Sequence, residues 1–512
     1  MPASPTFRPE STAASVRPSS PRMMVLTLAF CGVVVAIMQT LIAPLLPSLP
    51  HLAHTDLSTA SWMVTATLIT GCVANPVFGR IGDMYGKRRM ILVSLASMTV
   101  GSVICGMTSD IGLLITGRAF QGAALALIPL GISILRDELP PERVPSAVAV
   151  VSGTLGTGAA IGFPVAAVLV EYSNWHTMFW VAAAVGVIDV LLVLRYVPES
   201  SNRTSGRFDI TGAVGLSIAL VSLLVGVEKG SGWGWTSPRT LFCFALAVVV
   251  SLAWGGWEMR ARSPLVDLRI SSQAAVLLTN LAALLIGFSF YANSLSTAQL
   301  VQEPASTGYG LAQSIVVAGL CILPAGLFQA GFAPVIARMA RTHGPKVPLG
   351  LGTLIMAAGY VYRIAFSHDL VNIIVGTTIV GAGTALAYST LALMIMRAVP
   401  MSETGAANGL NTLMRSIGQS ICSAVVASIL ASVTIILTNG GSAPSLWAYQ
   451  LIFVLAGVAA LGAFGLIVGI PGRRADERIA RAAERIMTEE SIAGHGPGPS
   501  STAAVPVDQL GN

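Results

Sequence analysis

The sequence is short of charge. Only 10% of its 512 residues are Asp, Glu, Lys or Arg, while 54% are hydrophobic. A water-soluble chain of this length needs ionised side chains over its surface, so a soluble globular protein is excluded. No Gly-x-x-x-x-Gly-Lys-Ser/Thr loop is present, so direct use of ATP has no support. No cluster of His, Cys or carboxylates has metal-ligand spacing, and the histidines make no nucleophile arrangement. Neither an enzyme nor a bound cofactor or metal is expected. Cys31, Cys72, Cys105, Cys243, Cys321 and Cys422 all lie inside apolar runs, which points to packing and not to disulfides. The net charge of +6 does not indicate nucleic acid, because the basic residues are spread between apolar runs and form no patch. A cleavable signal peptide is not expected. Residues 1–22 are rich in Pro, Ser and Thr with Arg8, Arg17 and Arg22, and the apolar run that follows is long enough to span.

What the sequence has is apolar runs. Each hydrocarbon crossing takes about 20 residues as a helix. Hydropathy gives about 14 such spans, near 24–47, 58–79, 90–108, 112–135, 145–169, 176–195, 210–228, 240–257, 273–293, 312–335, 347–366, 371–396, 404–434 and 446–470. The turn-rich stretch Gly230-Ser-Gly-Trp-Gly-Trp235 separates the seventh from the eighth. The basic residues alternate in register with these spans. Arg8, Arg17, Arg22, Arg80, Lys87–Arg89, Arg136, Arg143, Arg195, Arg203, Arg207, Arg260, Arg262, Arg269, Arg338, Arg341, Lys346, Arg397 and the tail arginines fall on one side. The other side holds only Lys229, Arg239 and, near a membrane edge, Arg363. The positive-inside rule then puts both termini in the cytoplasm of a cell-membrane protein. Residues 473–490 read as a charged helix, solvated or lying on the membrane surface, and 491–512 as disordered.

A six-span unit occurs twice. Gly79-Arg-Ile-Gly-Asp-Met-Tyr-Gly-Lys-Arg-Arg89, after span 2, aligns with Ala337-Arg-Met-Ala-Arg-Thr-His-Gly-Pro-Lys346, after span 10. Gly117-Arg-Ala-Phe-Gln-Gly-Ala123 aligns with Gly376-Thr-Thr-Ile-Val-Gly-Ala382. The fold class is therefore an all-α membrane protein of two pseudo-symmetric six-helix bundles with two linker helices. The divisions are a cytoplasmic N-tail at 1–22, bundles at 23–195 and 273–470, a linker at 196–272 and a C-tail at 471–512. In the second copy Arg341 replaces Asp83 and Thr377 replaces Arg118, so a charge-dependent mechanism is expected mainly in the first half.

The loop after span 2 is the strongest motif. Gly79, Gly82 and Gly86 permit close backbone approach, Asp83 is an acid among bases at a helix end, and Lys87, Arg88 and Arg89 suit lipid headgroups. This Gly-x-x-x-Asp-x-x-Gly-Lys/Arg pattern resembles the loop between helices 2 and 3 of the major facilitator superfamily. Ser61-Trp-Met-Val-Thr-Ala-Thr67 is similar to the start of helix 2 in its 14-helix drug:proton antiporter branch. The resemblance covers about residues 23–470. It implies a transporter with a midplane cavity that opens to each side in turn. It also implies that Asp83 latches the halves together by approaching the start of span 13, near Thr404 to Asn408.

Other positions follow from the same resemblance. Arg118, in Gly117-Arg-Ala-Phe-Gln-Gly122, matches a helix-4 arginine linked to proton coupling. The alternative is a structural arginine bonded to backbone carbonyls. Gln121 lies beside it. Span 5 carries Gly153, Gly156, Gly158, Gly162 and Pro164, where the family's antiporters have Gly-Pro-x-x-Gly-Gly. Here Gly162-Phe-Pro-Val-Ala-Ala167 shifts the proline and replaces both terminal glycines, so generic close packing is a second reading. In span 1 the branch usually carries an aspartate, and Ile37-Met-Gln-Thr40 places Met38 there. A proton carrier must then be sought elsewhere, with Asp189 the best placed and Arg118 or Arg415 as partners. Glu171 and Glu228, near outer span ends, read as solvated rim residues. Gln39, Thr40, Asn280, Gln329 and Asn411 are polar residues that line a substrate path or bridge helices.

The expectation is a monomeric exporter of drugs or amphipathic metabolites, exchanged for protons. A facilitator or symporter of a neutral metabolite, or a non-transporting scaffold on the same frame, are the alternatives. The lipid bilayer, a small-molecule substrate and protons are the expected partners.

Overall fold

Inside a bilayer no water is available to backbone amides, so each apolar run must close its own hydrogen bonds as a helix. The computed structural model describes residues 20–40, 55, 57–60, 62–200, 203, 207–261, 264–436 and 442–470. Its long helices are α1 (Pro21–Thr40), α2 (Trp62–Tyr85), α3 (Lys87–Met107), α4 (Ile111–Glu138, with a 3-10 turn at Ala123–Ala126), α5 (Val144–Tyr172), α6 (His176–Tyr196), α7 (Ile210–Trp233) and α8 (Pro238–Glu258). They continue as α9 (Ala274–Gln302), α10 (Ile315–Gly331), α11 (Ala333–Thr342), α12 (Lys346–Ala365), α13 (Leu370–Ala398), α14 (Thr404–Ser432) and α15 (Leu446–Gly469). A short antiparallel hairpin, β1 (Thr434–Ile436) and β2 (Ser442–Pro444), links the last two.

Among the described residues twelve helices are each long and apolar enough to cross a bilayer, and thirteen if α10 and α11, bent by 42°, count as one span. In α5 the stretch Val144–Gly158 is a shorter apolar segment. The chain is thus a multi-pass all-α membrane protein. Its outward faces carry apolar side chains such as Leu252, Val361 and Val371, which are mostly exposed and suit lipid tails. Starts facing away from lipid are capped: Asp110, Asp209, Ser237, Ser314 and Asp369 each accept a backbone N–H of the first turn.

Two readings of the loops need correction. Gly79 to Tyr85 is not a loop but the last turns of α2, and the connection to α3 is Gly86 alone. Residues 337–342 likewise belong to α11, which Phe332 breaks from α10. Both stretches keep helical hydrogen bonds because leaving them unpaired beside the bilayer costs more than extending the helix. Span 7 also runs on to Trp233, past Glu228 and into the stretch read as a turn. The helix expected at 473–490, the tail beyond it and residues 1–19 lie outside the described residues.

Within residues up to Val468, α2 packs along α14, α5 along α10, α9 along α14 and α12 along α13. Helix α7 lies on α8 and also touches α2 and α14. The basic residues Lys87, Arg136, Arg143, Arg195, Arg341 and Arg397 lie near helix ends on one side, called here the basic end.

Candidate functional site

Asp83 sits in the last turn of α2 and is fully buried. Its carboxylate accepts the backbone N–H of Gly405 at 3.2 Å and of Ala406 at 2.8 Å, in the first turn of α14. These N–H groups have no partner inside their own helix, and the positive end of the helix dipole favours an anion there. The two helices meet backbone to backbone. A methyl at Gly79 would lie 2.6 Å from the Gly405 carbonyl, and one at Gly405 2.7 Å from the Asp83 carboxylate. Small residues are therefore obligatory on both sides of the contact.

Gly86 adopts φ 124°, open to glycine and strained for other residues. The sharp turn brings Lys87 back over Asp83. Its buried ammonium lies 3.4 Å from Asp83 and 2.6 Å from Asp137 on α4. The Ser200 hydroxyl donates to the same Asp137 oxygen at 2.5 Å. Arg88 donates its backbone N–H to Glu199 at 3.2 Å and its guanidinium to the Leu194 carbonyl at 2.6 Å. Arg136 crosses to the other half of the chain, donating to the Thr404 hydroxyl at 2.5 Å and the Val399 carbonyl at 3.0 Å. Outside the spans, burial raises the Glu403 carboxyl above the ordinary carboxylate range, with Arg80 opposing and Asp267 adding to it. Together these residues form a clamp at the basic end that joins α2, α3, α4 and α14.

Arg118 is held by neutral acceptors only. It donates to the Met63 carbonyl at 3.1 Å, the Met38 carbonyl at 3.3 Å and the Gln121 side-chain oxygen at 2.6 Å. Gln121 in turn donates to Ser102 at 2.9 Å. Met38 is thus where the expected acid would stand, and Arg118 takes its backbone carbonyl instead. The pairing of Asp189 with Arg118 or Arg415 is not made. Asp189 is enclosed by the apolar core of the first half, and its Oδ1 accepts from the Cys31 thiol at 3.4 Å while Oδ2 has no partner. Arg415 lies over the Tyr388 ring at 4.7 Å, and Tyr388 packs on Phe290.

Span 5 uses its small residues in two directions. Gly158 and Gly162 face α1, where Ala36, Ile37 and Thr40 leave no room for a side chain. Gly153 and Gly156 form a notch that receives Gln329 from α10, and Thr157 donates to the Gly326 carbonyl at 2.9 Å. Pro164 lies within α5, and the side chains of Pro164 and Glu171 lie outside what is described. Asn411 donates to Asn280 at 3.0 Å and so bridges α14 and α9. Gln39 is half-buried on α1, and Thr40 donates back to the Ile37 carbonyl at 3.1 Å.

The family model of the Major Facilitator Superfamily matches residues 28–423, and again 279–499. The chain belongs to the Major Facilitator Superfamily. It is therefore a membrane transporter of small molecules and not an enzyme. It is 28% identical over 374 residues to the multidrug resistance protein Stp of Mycobacterium tuberculosis, covering 72% of this chain and 68% of that one. It is 28% identical over 426 residues to the tetracenomycin C resistance and export protein of Streptomyces glaucescens, covering 82% of this chain and 78% of the other. Among solved structures it resembles the human organic anion transporter MFSD10, with a TM-score of 0.61 at 16% identity, over 88% of this chain and all of that one. That last likeness concerns the fold alone.

Two residues of this superfamily member escaped the sequence reading. Arg363 stands in the last turn of α12, as a position near a membrane edge requires, but it does not face outward. It is fully buried, donates to the Asn293 side chain at 2.5 Å and lies over the Phe453 ring at 4.1 Å. A methyl at Gly376 would touch its side chain at 2.6 Å, so it borders Thr377, the repeat position of Arg118. The second half thus has a buried guanidinium after all, supplied by the neighbouring helix. Asn75 on α2 is also fully buried with both amide atoms unpaired, against α14 near Gly409. A lone polar residue in each apolar run was the only signal for either.

Proposed function

We propose that this transporter exports drugs or small amphipathic metabolites across the cell membrane in exchange for protons. It belongs, on this reading, to the 14-helix branch, with α5 and the bent pair α10/α11 completing the count. Residues 23–195 and 273–470 are two bundles that rock about a midplane cavity, and 196–272 carries the linker helices. The excess of arginine and lysine at the basic end makes that end cytoplasmic, with both termini beside it. The observation that carries the reading is the Asp83 carboxylate on the Gly405 and Ala406 amides, since it ties one half to the other at the basic end. A transporter closed at its cytoplasmic end is poised to release cargo outward. The names of the two bacterial relatives, one for multidrug resistance and one for antibiotic export, support the cargo class.

The exchanged proton needs a titratable group inside the membrane. Asp189, with one bare oxygen, serves in that role in place of an acid at Met38. A facilitator without coupling is the second reading, and the wholly neutral cradle of Arg118 is the observation that favours it. Everted membrane vesicles decide between them. With Hoechst 33342 or ethidium as cargo, uptake into energised vesicles that collapses on adding a protonophore supports antiport. Equilibration that ignores the protonophore supports the facilitator, and no movement of any cargo across a broad drug panel refutes export.

A further inference from the structure

We infer that Glu228, on the linker helix α7, is a proton-binding site whose neutral form is required for the end opposite the clamp to close. The inference rests on the alternating-access reading above. Sequence hydropathy ends the seventh span at this residue and makes it a solvated rim acid. In the structure α7 continues for five more residues, to Trp233. Glu228 therefore lies within the helix, roughly 27 Å from its start at Ile210 at 1.5 Å per residue, in the half of the membrane away from the clamp.

Its surroundings come from both halves of the protein. Helix α7 touches α2 of the first half and α14 of the second. Cys72 of α2 and Tyr291 of α9 are within electrostatic reach of the carboxylate, and the Ser420 hydroxyl of α14 faces it. Cys422 of α14 borders Tyr291, and Cys243 of α8 packs against α7 at Gly226. The one cation acting on Glu228 is Lys229, next to it on α7, and that ammonium stands over the Trp62 ring at 4.6 Å. One carboxylate oxygen, Oε1, is buried with no hydrogen-bond partner, while the residue as a whole keeps partial exposure.

This is an acid at a seam that must move. While the far end is open, the exposed side of Glu228 reaches water and the ion is tolerated. Closing α2 against α14 removes that water and offers thiols, a phenol and a hydroxyl, with Lys229, drawn over Trp62, as the cation that offsets part of the cost. Burying an ion there costs several kcal/mol, whereas a neutral acid costs far less. Proton uptake from outside therefore permits closure, and an ionised Glu228 holds the far end open.

Single-molecule energy transfer reads this directly. Dyes are clicked onto noncanonical residues at Met107 and Phe366, exposed positions at the far ends of α3 and α12, which leaves the native cysteines intact. In nanodiscs, the wild-type protein should shift toward the closed far end as pH falls. E228Q, a permanently neutral mimic, should hold the closed distance at every pH, while E228D should still titrate with a displaced midpoint. A wild-type distance that ignores pH overturns the inference, and so does E228Q titrating like wild type. If E228Q elutes aggregated, E228D decides: a midpoint moved by about half a pH unit or more supports the site, and an unmoved one overturns it. The readout needs no cargo, so failure of drug export in vesicles and failure of this site are told apart.

Discussion

Replacing Asp83 by Asn changes one carboxylate oxygen to an amide NH2 and removes the charge, with almost no change in shape. Two things are lost at the start of α14. The Gly405 and Ala406 amides, at 3.2 Å and 2.8 Å, give up an ionised acceptor, and one of them now faces an N–H donor. Lys87 also loses one of its two carboxylates and keeps only Asp137. A hydrogen bond to an ion contributes about 1.5–3 kcal/mol and a neutral one about 1 kcal/mol. The clamp should therefore weaken by about 2–3 kcal/mol, which moves the balance between closed and open basic ends by roughly 30- to 150-fold. Dyes on noncanonical residues at Arg89 and Thr342, both exposed at the basic end, read that balance. D83N should move most molecules to a longer distance and cut dye efflux severely, while the detergent-purified protein still elutes as a single folded species. An unchanged distance distribution, or full efflux in the variant, would refute the argument that Asp83 closes this end.

Further outcomes follow from the same geometry. Gly79→Ala should open the basic end as D83N does, because its methyl has 2.6 Å to the Gly405 carbonyl, and the same dye pair checks it. Arg118→Gln leaves the Met38 and Met63 carbonyls without their donor, so its thermal midpoint in detergent should fall, at a cost of about 2–4 kcal/mol. Arg363→Gln should destabilise the second half comparably by stranding Asn293 and uncovering Phe453, read by the same thermal assay. Since burial raises the Glu403 carboxyl, the folded state holds its proton to higher pH than the unfolded chain does. Its contribution to stability is complete at low pH and is lost as pH rises above the ordinary carboxylate range, so Glu403→Gln should flatten that part of the stability–pH curve.

What was legible in the sequence was whatever a single helix settles by itself. A run of apolar residues must be a helix in lipid, so the spans can be read without knowing their neighbours. The glycine, acid and base spacing of Gly79–Arg89 is equally local, and its resemblance to a known loop led to Thr404–Asn408 before any geometry did. Partners that come from a distant helix were not legible. Glu228 and Lys229 do stand near the end of the apolar span, but no local pattern tells that Ser420 and Trp62 face them there. Arg363 does stand in the last turn of its span, but its partners Asn293 and Phe453 come from two other helices and leave no local signal. The aligned loss of Asp83 and Arg118 from the second copy was real, but alignment compares position with position and misses a guanidinium arriving from the next helix.

Three of the contacts between halves differ in chemistry, and that difference fits their tasks in the proposed rocking motion. At the basic end the buried Asp83 carboxylate, held beside Lys87 and Asp137 of its own half, accepts the Gly405 and Ala406 amides of the other, and so the contact is strong only in one arrangement. At the far end Glu228 makes closure depend on a proton. Between them α5 and α10 meet through the Gly153–Gly156 notch, the Gln329 side chain and the bond from Thr157 to the Gly326 carbonyl, all of them neutral. A pivot has to persist in both conformers and at every pH, so it gains nothing from an ionisable group and would lose by one. That reasoning gives span 5 a purpose that survives its departure from the antiporter motif. Ala166 and Ala167 replace the terminal glycines, yet the glycines that receive Gln329 lie earlier in the helix and are retained.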